Sequence, residues 1–578
     1  MTELDLAVEI EQSYLWIVIV GGLFGFFAAM GIGANDVANA FATSVGSGAL
    51  KVRDAVIIAL FCEAGGAILL GSQVTDTIRK GIADYECFTG NPPLLMFGSL
   101  SVLLSVGIWL FLASYFEMPV STTHSTVGGM IGMTMVIGGV DCVNWYEPSD
   151  SFPYVGGVAG IVLSWVISPV FSALFAMAFF AITRVAILRH PNSFERGIGS
   201  FPIFVGITVT LNIFLIIYKG AKGIGLDDIE LWVALVSAFG GGLVIGLTMW
   251  PLLPYIKRGI LKRIKKEEDK RVTMTIEMTD MRENKDKNCE DKNFEEKNNE
   301  DGIYDLEASL SSLSTNDIVS QDEPTKNKHC MDEKGGLDCS KEACMRNKCC
   351  KSLINSMNYN VETDINRDKK VKEIHDNSEK FDKNTEESFK FLQIFTAIFD
   401  SFSHGANDVA NAIGPFAAIY TIYQNSGMIS EDSSLDSASY WILAIGGFGM
   451  IVGLAVYGYK IIRAIGVKMC TITPSRGVSI ELASATVIIV GSRLGIPLST
   501  THCQVGATMG VAALEDLKTC KGLNCKIVGK TFLGWILTLI AVGCSSALLV
   551  AYSIYAPCIG TVYANITGNF TNFTTTAI

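Results

Sequence analysis

The phrase GANDVANA occurs twice, at Gly33–Ala40 and at Gly405–Ala412, each time inside strongly apolar sequence. Each copy supplies three oxygen donors: Asn35, Asp36 and Asn39 in the first, Asn407, Asp408 and Asn411 in the second. On a helix the two asparagines of a copy stand i, i+4 on one face with the aspartate beside them. An Asp in hydrocarbon costs roughly 2.5–3.5 kcal/mol on insertion scales, so a retained one faces a cavity, a partner or a cation. Hard oxygens with a single carboxylate suit Na⁺ or a proton rather than a transition metal. Small-residue helix packing, with the amides bonding to neighbours, is the plainer reading of one copy. An Asp in both copies weakens it.

A second phrase is also duplicated. PVSTTH at Pro119–His124 returns as PLSTTH at Pro497–His502. Proline followed by hydroxyl residues often opens a helix, with its first amides unpaired. Ser121, Thr122 and Thr123, and likewise Ser499, Thr500 and Thr501, then combine hydroxyls with free N–H groups, which suits a phosphate-like oxyanion. Simple capping is the alternative. His124 and His502 follow directly in supporting roles, as proton shuttles, anion donors or loop orienters. Two more carboxylates, Glu63 in FCEAGG and Glu481 in SIELASA, lie in apolar context. They belong to a cation route or to a hydrogen-bonded helix contact. Arg79 and Arg463 read as interfacial anchors or anion attractors, anchors being the plainer reading.

Asp36 precedes Ser121 by 85 residues and Asp408 precedes Ser499 by 91, so a whole unit is repeated. TIRKGI at Thr77–Ile82 is weakly echoed by IIRAIG at Ile461–Gly466, between the two phrases in each half. The elements that carry these phrases are membrane spans. The chain is 49% hydrophobic and 18% charged over 578 residues, with apolar segments of roughly 20 residues, the length that crosses a bilayer. Spans are expected near 14–32, 54–75, 94–114, 119–139, 154–183, 201–218, 231–251, 391–412, 439–460, 477–491, 498–514 and 529–557. The GAND and STTH regions are expected as broken or re-entrant helices. The fold class is therefore an all-α polytopic membrane protein of about 12 transmembrane helices.

Basic loops orient it. Lys51, Arg53, Arg184, Arg189 and Arg196 fall on the side of the insert, with Lys257, Arg258, Lys262 and Arg263. Both termini then lie outside and the two halves are inverted relative to each other, as in many secondary transporters with a mid-membrane site. The domains read as 1–256, a first membrane half; 257–390, a cytoplasmic and mostly disordered polar insert; and 391–578, a second half with an extracellular tail. The acidic start, MTELDLAVEIEQSY, does not resemble a cleavable signal. Sequons at Asn565, Asn569 and Asn572 suggest a glycoprotein. Fifteen cysteines in so long a chain do not imply a disulfide scaffold. Cys62, Cys470 and Cys544 read as packing residues, and His329 with Cys330, Cys339, Cys344, Cys349 and Cys350 lacks the paired spacing of a zinc site.

Both signatures, present in both halves and in order, resemble the PiT family of inorganic phosphate transporters. The resemblance spans both membrane halves and omits the insert and termini. GANDVANAFATSVGSG and SIELASA are similar to its eukaryotic, sodium-coupled branch. The resemblance implies electrogenic import of monovalent phosphate with sodium, by alternating access in an inverted-repeat fold. It places cation ligands at Asn35, Asp36, Asn39, Asn407, Asp408 and Asn411. Phosphate contacts fall at Ser121, Thr122, Thr123, Ser499, Thr500 and Thr501, and transport-associated carboxylates at Glu63 and Glu481. Cys503-Gln504 departs from the pattern, where a basic residue is common after the Cys.

Coupled binding follows: cations neutralise the aspartates and admit the anion between the helix starts. The partners are phosphate, Na⁺ and the bilayer, with no cofactor beyond Na⁺ and no nucleic acid. A homodimer is compatible with the sequence, and the plasma membrane is the expected location. The alternatives are a proton-coupled phosphate or sulfate carrier and, from another class, a phosphate-sensing receptor signalling through the insert. An enzyme is not expected, because no nucleophile–base pairing or phosphate-binding Gly-rich loop is evident.

Overall fold

The computed structural model describes residues 3–72, 81–148, 154–218, 229–266, 359–425, 440–494, 496–515 and 522–556, with single positions at 74, 75, 78, 268, 269, 272, 273 and 429. Met1–Ile260 and Cys349–Ile578 form one compact unit and Leu261–Lys348 a second, of which 261–266 and four further positions are described. Arg79, the Cys cluster and the sequons lie outside the described residues.

The first half contains α1 (Glu3–Ile32), which passes through a π turn at Gly33–Val37 into α2 (Ala38–Gly46). Next come α3 (Val52–Leu70), α4 (Pro92–Tyr115), α5 (Thr122–Ile137), α6 (Gly157–Thr183), α7 (Ser193–Gly199), α8 (Phe201–Ile217) and α9 (Leu231–Met249). From residue 359 onward follow α10 (Val361–Arg367), α11 (Lys369–Asn377), α12 (Lys383–Gln424), α13 (Tyr440–Tyr457) and α14 (Tyr459–Arg463). The chain ends with α15 (Pro474–Arg493), α16 (Thr500–Ala513) and α17 (Cys525–Tyr555).

The protein is an all-α polytopic membrane protein, and each of the twelve expected segments contains a helix among the described residues. Among the described residues seven helices are long and apolar enough to cross a membrane by themselves. The others fall short for a reason connected with the site: α3, α12 and α15 carry polar residues such as Glu63, Asp408 and Glu481. At 16 and 14 residues, α5 and α16 reach about 24 and 21 Å, less than the hydrocarbon thickness. Breaks were expected at both phrases. The GAND copies instead lie in continuous helix, the first at a widened turn and the second within the 42 residues of α12. The interruptions fall at the STTH phrases, where Ser121 and Ser499 are extended.

The two halves interlock. The GAND helix α1 packs on α13 of the other half, while α12 packs on α3; α5 packs on α17 and α16 on α6. The contacts are backbone-close. A Cβ added at Gly405 would lie 2.1 Å from Glu63 O, and one at Gly33 would lie 1.7 Å from Met450 O.

One expectation needs correction at its boundary. Residues 359–390, assigned to the mostly disordered insert, contain α10, α11 and the start of α12. Although α11 is polar in composition, it buries Val371 and Ile374. His375 Nε2 lies 3.0 Å from Val467 O, Arg476 Nη2 donates to Glu379 O at 2.8 Å, and Arg189 grips the Glu379 carboxylate at 2.8 and 2.9 Å. In addition, Cys87 and Cys142 form a disulfide tying the start of α4 to the end of α5. Cys470 is buried as expected for packing, Cys62 is half-buried and Cys544 is exposed.

Gly405→Val is expected to abolish monodisperse protein in detergent size-exclusion chromatography, whereas Gly199→Ala, with open space at its Cβ, leaves it intact. The hydrogen bonds from Arg189 hold the Glu379 carboxyl below the usual Glu range. A depressed folded value means the contact stabilises fully above that range and is lost as pH falls through the lowered value. The pair is partly exposed, so the effect is at most about 1 kcal/mol. Lower protection of the α11 amides relative to their intrinsic exchange rates, both as pH falls through the lowered Glu379 value and in Glu379→Gln at pH 7, is the expected outcome.

Candidate functional site

In the first half the π turn presents Asn35 and Asp36, and α2 presents Asn39; all three are buried. Asp36 Oδ1 accepts from Asn39 Nδ2 at 2.8 Å and from Thr501 Oγ1, while Oδ2 accepts from Thr122 N at 3.2 Å. Thr122 is the first residue of α5, so the carboxylate lies on a free amide at a helix start. Asn39 Nδ2 also donates to Thr501 Oγ1 at 3.0 Å, whereas its Oδ1 is buried without a hydrogen-bond partner. Asn35 is used differently. Its Nδ2 donates to Ser114 Oγ and Met118 O, and its Oδ1 accepts from Val120 N, so it clamps the turn between α4 and α5.

The second half repeats this pattern with exchanged partners. Asp408 accepts from Thr500 Oγ1 at 2.6 Å and from Asn407 Nδ2 at 2.9 Å. Asn411 Nδ2 donates to Thr122 Oγ1 at 3.1 Å and to Thr123 Oγ1 at 3.4 Å, as Asn39 does to Thr501. Asn407 holds Leu498 O and accepts from Ser492, matching Asn35 on the other turn. Thr501 donates to Val120 O and Thr123 to Leu498 O. Each half therefore completes the other's hydrogen bonds, a pseudo-two-fold arrangement. Ser121 and Ser499 are N-caps, accepting from His124 N and His502 N.

The supporting residues separate. The His124 and His502 rings lie 4.7 Å apart, and each also stacks at 3.6 Å on a tryptophan, Trp165 or Trp535. Glu63 Oε1 lies 2.6 Å from His404 Nδ1, and Nε2 of the same ring lies 2.9 Å from Asp408 Oδ2. Glu481 accepts from Thr43 (2.6 Å), Ser44 (2.5 Å), Thr396 (2.5 Å) and Gln393 (3.1 Å), joining α2, α12 and α15. Arg463 is no lipid anchor: it pairs with Glu117 and Asp364. Gln504 is buried, and neither its Nε2 nor its Oε1 has a hydrogen-bond partner.

Several polar residues escaped the sequence reading. Gln393, Thr396, Asp400 and His404 lead to Asp408 along one face of α12 at helical spacing, all buried. Their i, i+4 register is visible in the sequence, though His404 breaks the repeat because Ile32 holds its place in the first half. Trp165 and Trp535 also had a signal, since each begins the pattern W-x₃-[PL]-x₃-[AG] after its STTH phrase.

Two aspartates facing hydroxyl-bearing helix starts across a pseudo-two-fold, within an interlocked helical bundle, define a membrane transporter of the secondary type. Residues 32–546 match the model of the phosphate transporter family, and the chain belongs to that family. It is 29% identical to sodium-dependent phosphate transporter 1 of Rattus norvegicus, over 94% of this chain and 96% of the relative. It is 30% identical to the phosphate-repressible phosphate permease pho-4 of Neurospora crassa, over 94% and 98%. A solved structure titled the sodium-dependent phosphate transporter superposes with a TM-score of 0.62 at 28% identity, covering 93% of this chain and 98% of that one.

Glu481→Leu removes the acceptor of four buried donors, each costing about 1–3 kcal/mol when orphaned. A markedly lower thermal transition in detergent is expected, with Glu481→Gln recovering most of the loss.

Proposed function

We propose that this protein imports inorganic phosphate in monovalent form together with sodium ions, by alternating access across the plasma membrane. The observation that carries this reading is the pair of buried carboxylates, Asp36 and Asp408, each bonded to the opening threonine of an STTH helix. In hydrocarbon such carboxylates need compensating cations, and the partnerless oxygen of Asn39 next to Asp36 is a ligand suited to Na⁺. Asp36, Asn39, Asp408 and Asn411 serve as cation ligands, with Asn35 and Asn407 holding the turns. Thr122, Thr123, Thr500 and Thr501, with the helix-start amides, receive the phosphate oxygens once cations have neutralised the aspartates.

The names of the relatives support phosphate as substrate and sodium as coupling ion. The Cys87–Cys142 disulfide supports placing that face in an oxidising exterior, with the insert on the cytoplasmic side.

Radiolabelled phosphate uptake in a transport-deficient cell, with Na⁺ and pH varied independently, is the decisive measurement. Uptake is expected to require external Na⁺ and to fall by at least about 100-fold in either Asp36→Asn or Asp408→Asn, a loss of about 2.7 kcal/mol. Uptake driven by acid pH without Na⁺ would assign proton coupling, and sulfate displacing phosphate would assign a sulfate carrier.

A further inference from the structure

The five residues Glu117–Ser121 join α4 to α5 as a strap held differently at each end. The inner end belongs to the site, where Met118 O accepts from Asn35, Val120 N donates to Asn35, and Val120 O accepts from Thr501, each at 3.0 Å. Glu117 stands at the outer end with φ 54, a left-handed conformation that a non-glycine residue keeps only where its surroundings impose it.

Those surroundings are cationic and come from the other half. Arg463 Nη1 lies 3.3 Å from Glu117 Oε1 and Lys468 Nζ lies 2.6 Å from Oε2. Lys460 donates to Tyr115 O at 3.3 Å, and Lys530 donates to Phe116 O at 2.5 Å and to Glu117 O at 3.4 Å. Arg463 also pairs at 3.0 Å with Asp364 in α10, within the segment 257–390, so the contact lies on the insert side. The repeat is broken at this point. Four residues before the second capping serine, where Glu117 stands in the first half, the sequence has Gly495.

We propose that Glu117 is a positioning residue for transport. With Arg463 and Lys468 it locks the strap closed on the insert side, and through Met118 and Val120 it links that closure to the residues around Asp36. The strap spans at most about 17 Å when extended, so its outer end cannot swing away while the inner bonds stay in register. Opening toward the insert and release of the site are therefore one event. This inference rests on the transport reading above.

Val120 is fully buried, so Val120→Cys reports on strap opening. A membrane-impermeant thiol reagent is applied to each face of vesicles holding the full chain, with the chain lacking the reporter as baseline. Glu117→Gln is expected to raise modification from the insert face on the order of tenfold and leave the opposite face unchanged. Lys468→Gln should act in the same direction, and the exchange Glu117→Lys with Lys468→Glu should return the rate toward the parent value. An unchanged insert-face rate, an equal rise on both faces, or an exchange that fails to restore would overturn the proposal. If Glu117→Gln does not fold, Lys468→Gln decides by the same rates. Phosphate uptake by the parent chain separates the two readings: no uptake defeats the transport function, whereas uptake with unmoved reporter rates defeats the strap alone.

Discussion

The structure depends on keeping two carboxylates, Asp36 and Asp408, inside a membrane. A lone buried charge is costly and water is absent from hydrocarbon, so each must be met by donors the protein brings to it. The hydrogen bonds cross between the halves. Thr501 of the second half donates to Asp36, Thr500 donates to Asp408 within the second half, and Asn411 beside Asp408 donates across to Thr122 and Thr123 of the first. Donors of the same half and of the other half meet at these residues, so the interlock of the halves and the hydrogen bonding around the aspartates are built together.

That requirement explains the helix inventory. An uninterrupted apolar helix exposes no free amides at mid-membrane, so α5 and α16 begin in the interior and are too short to cross. The turns before them carry backbone groups that would be orphaned in lipid. Asn35 clamps one turn and Asn407 the other. The same asparagines that look like ligands in the sequence therefore do structural service, leaving Asn39 and Asn411 closest to the threonines.

Symmetry is broken where function needs direction. His404 bridges Glu63 and Asp408, whereas Ile32 occupies its place near Asp36. Glu481 is held by donors from both halves, and its partners Gln393 and Thr396 begin the polar face of α12. The Glu117 strap likewise has no acidic counterpart. A two-fold scaffold thus supports a site whose two aspartates have different neighbours.

Duplication was legible from identical words, the membrane class from span-length apolar runs, and the chemistry from oxygen donors set in them. These signals are local or additive, so a linear reading retains them. Boundaries were less legible near the insert, because α11 is polar along its length and its helix is stabilised by docking on the second half. The partners were not legible at all. Thr501 lies 465 residues from Asp36, and Glu481 lies 438 from Thr43. Sequence alone determined that two copies of a pair of oxygen-donor phrases sit in a membrane protein. Only the tertiary structure decided which copy completes which, because a hydrogen bond between distant residues is set by packing geometry that one-dimensional spacing does not encode.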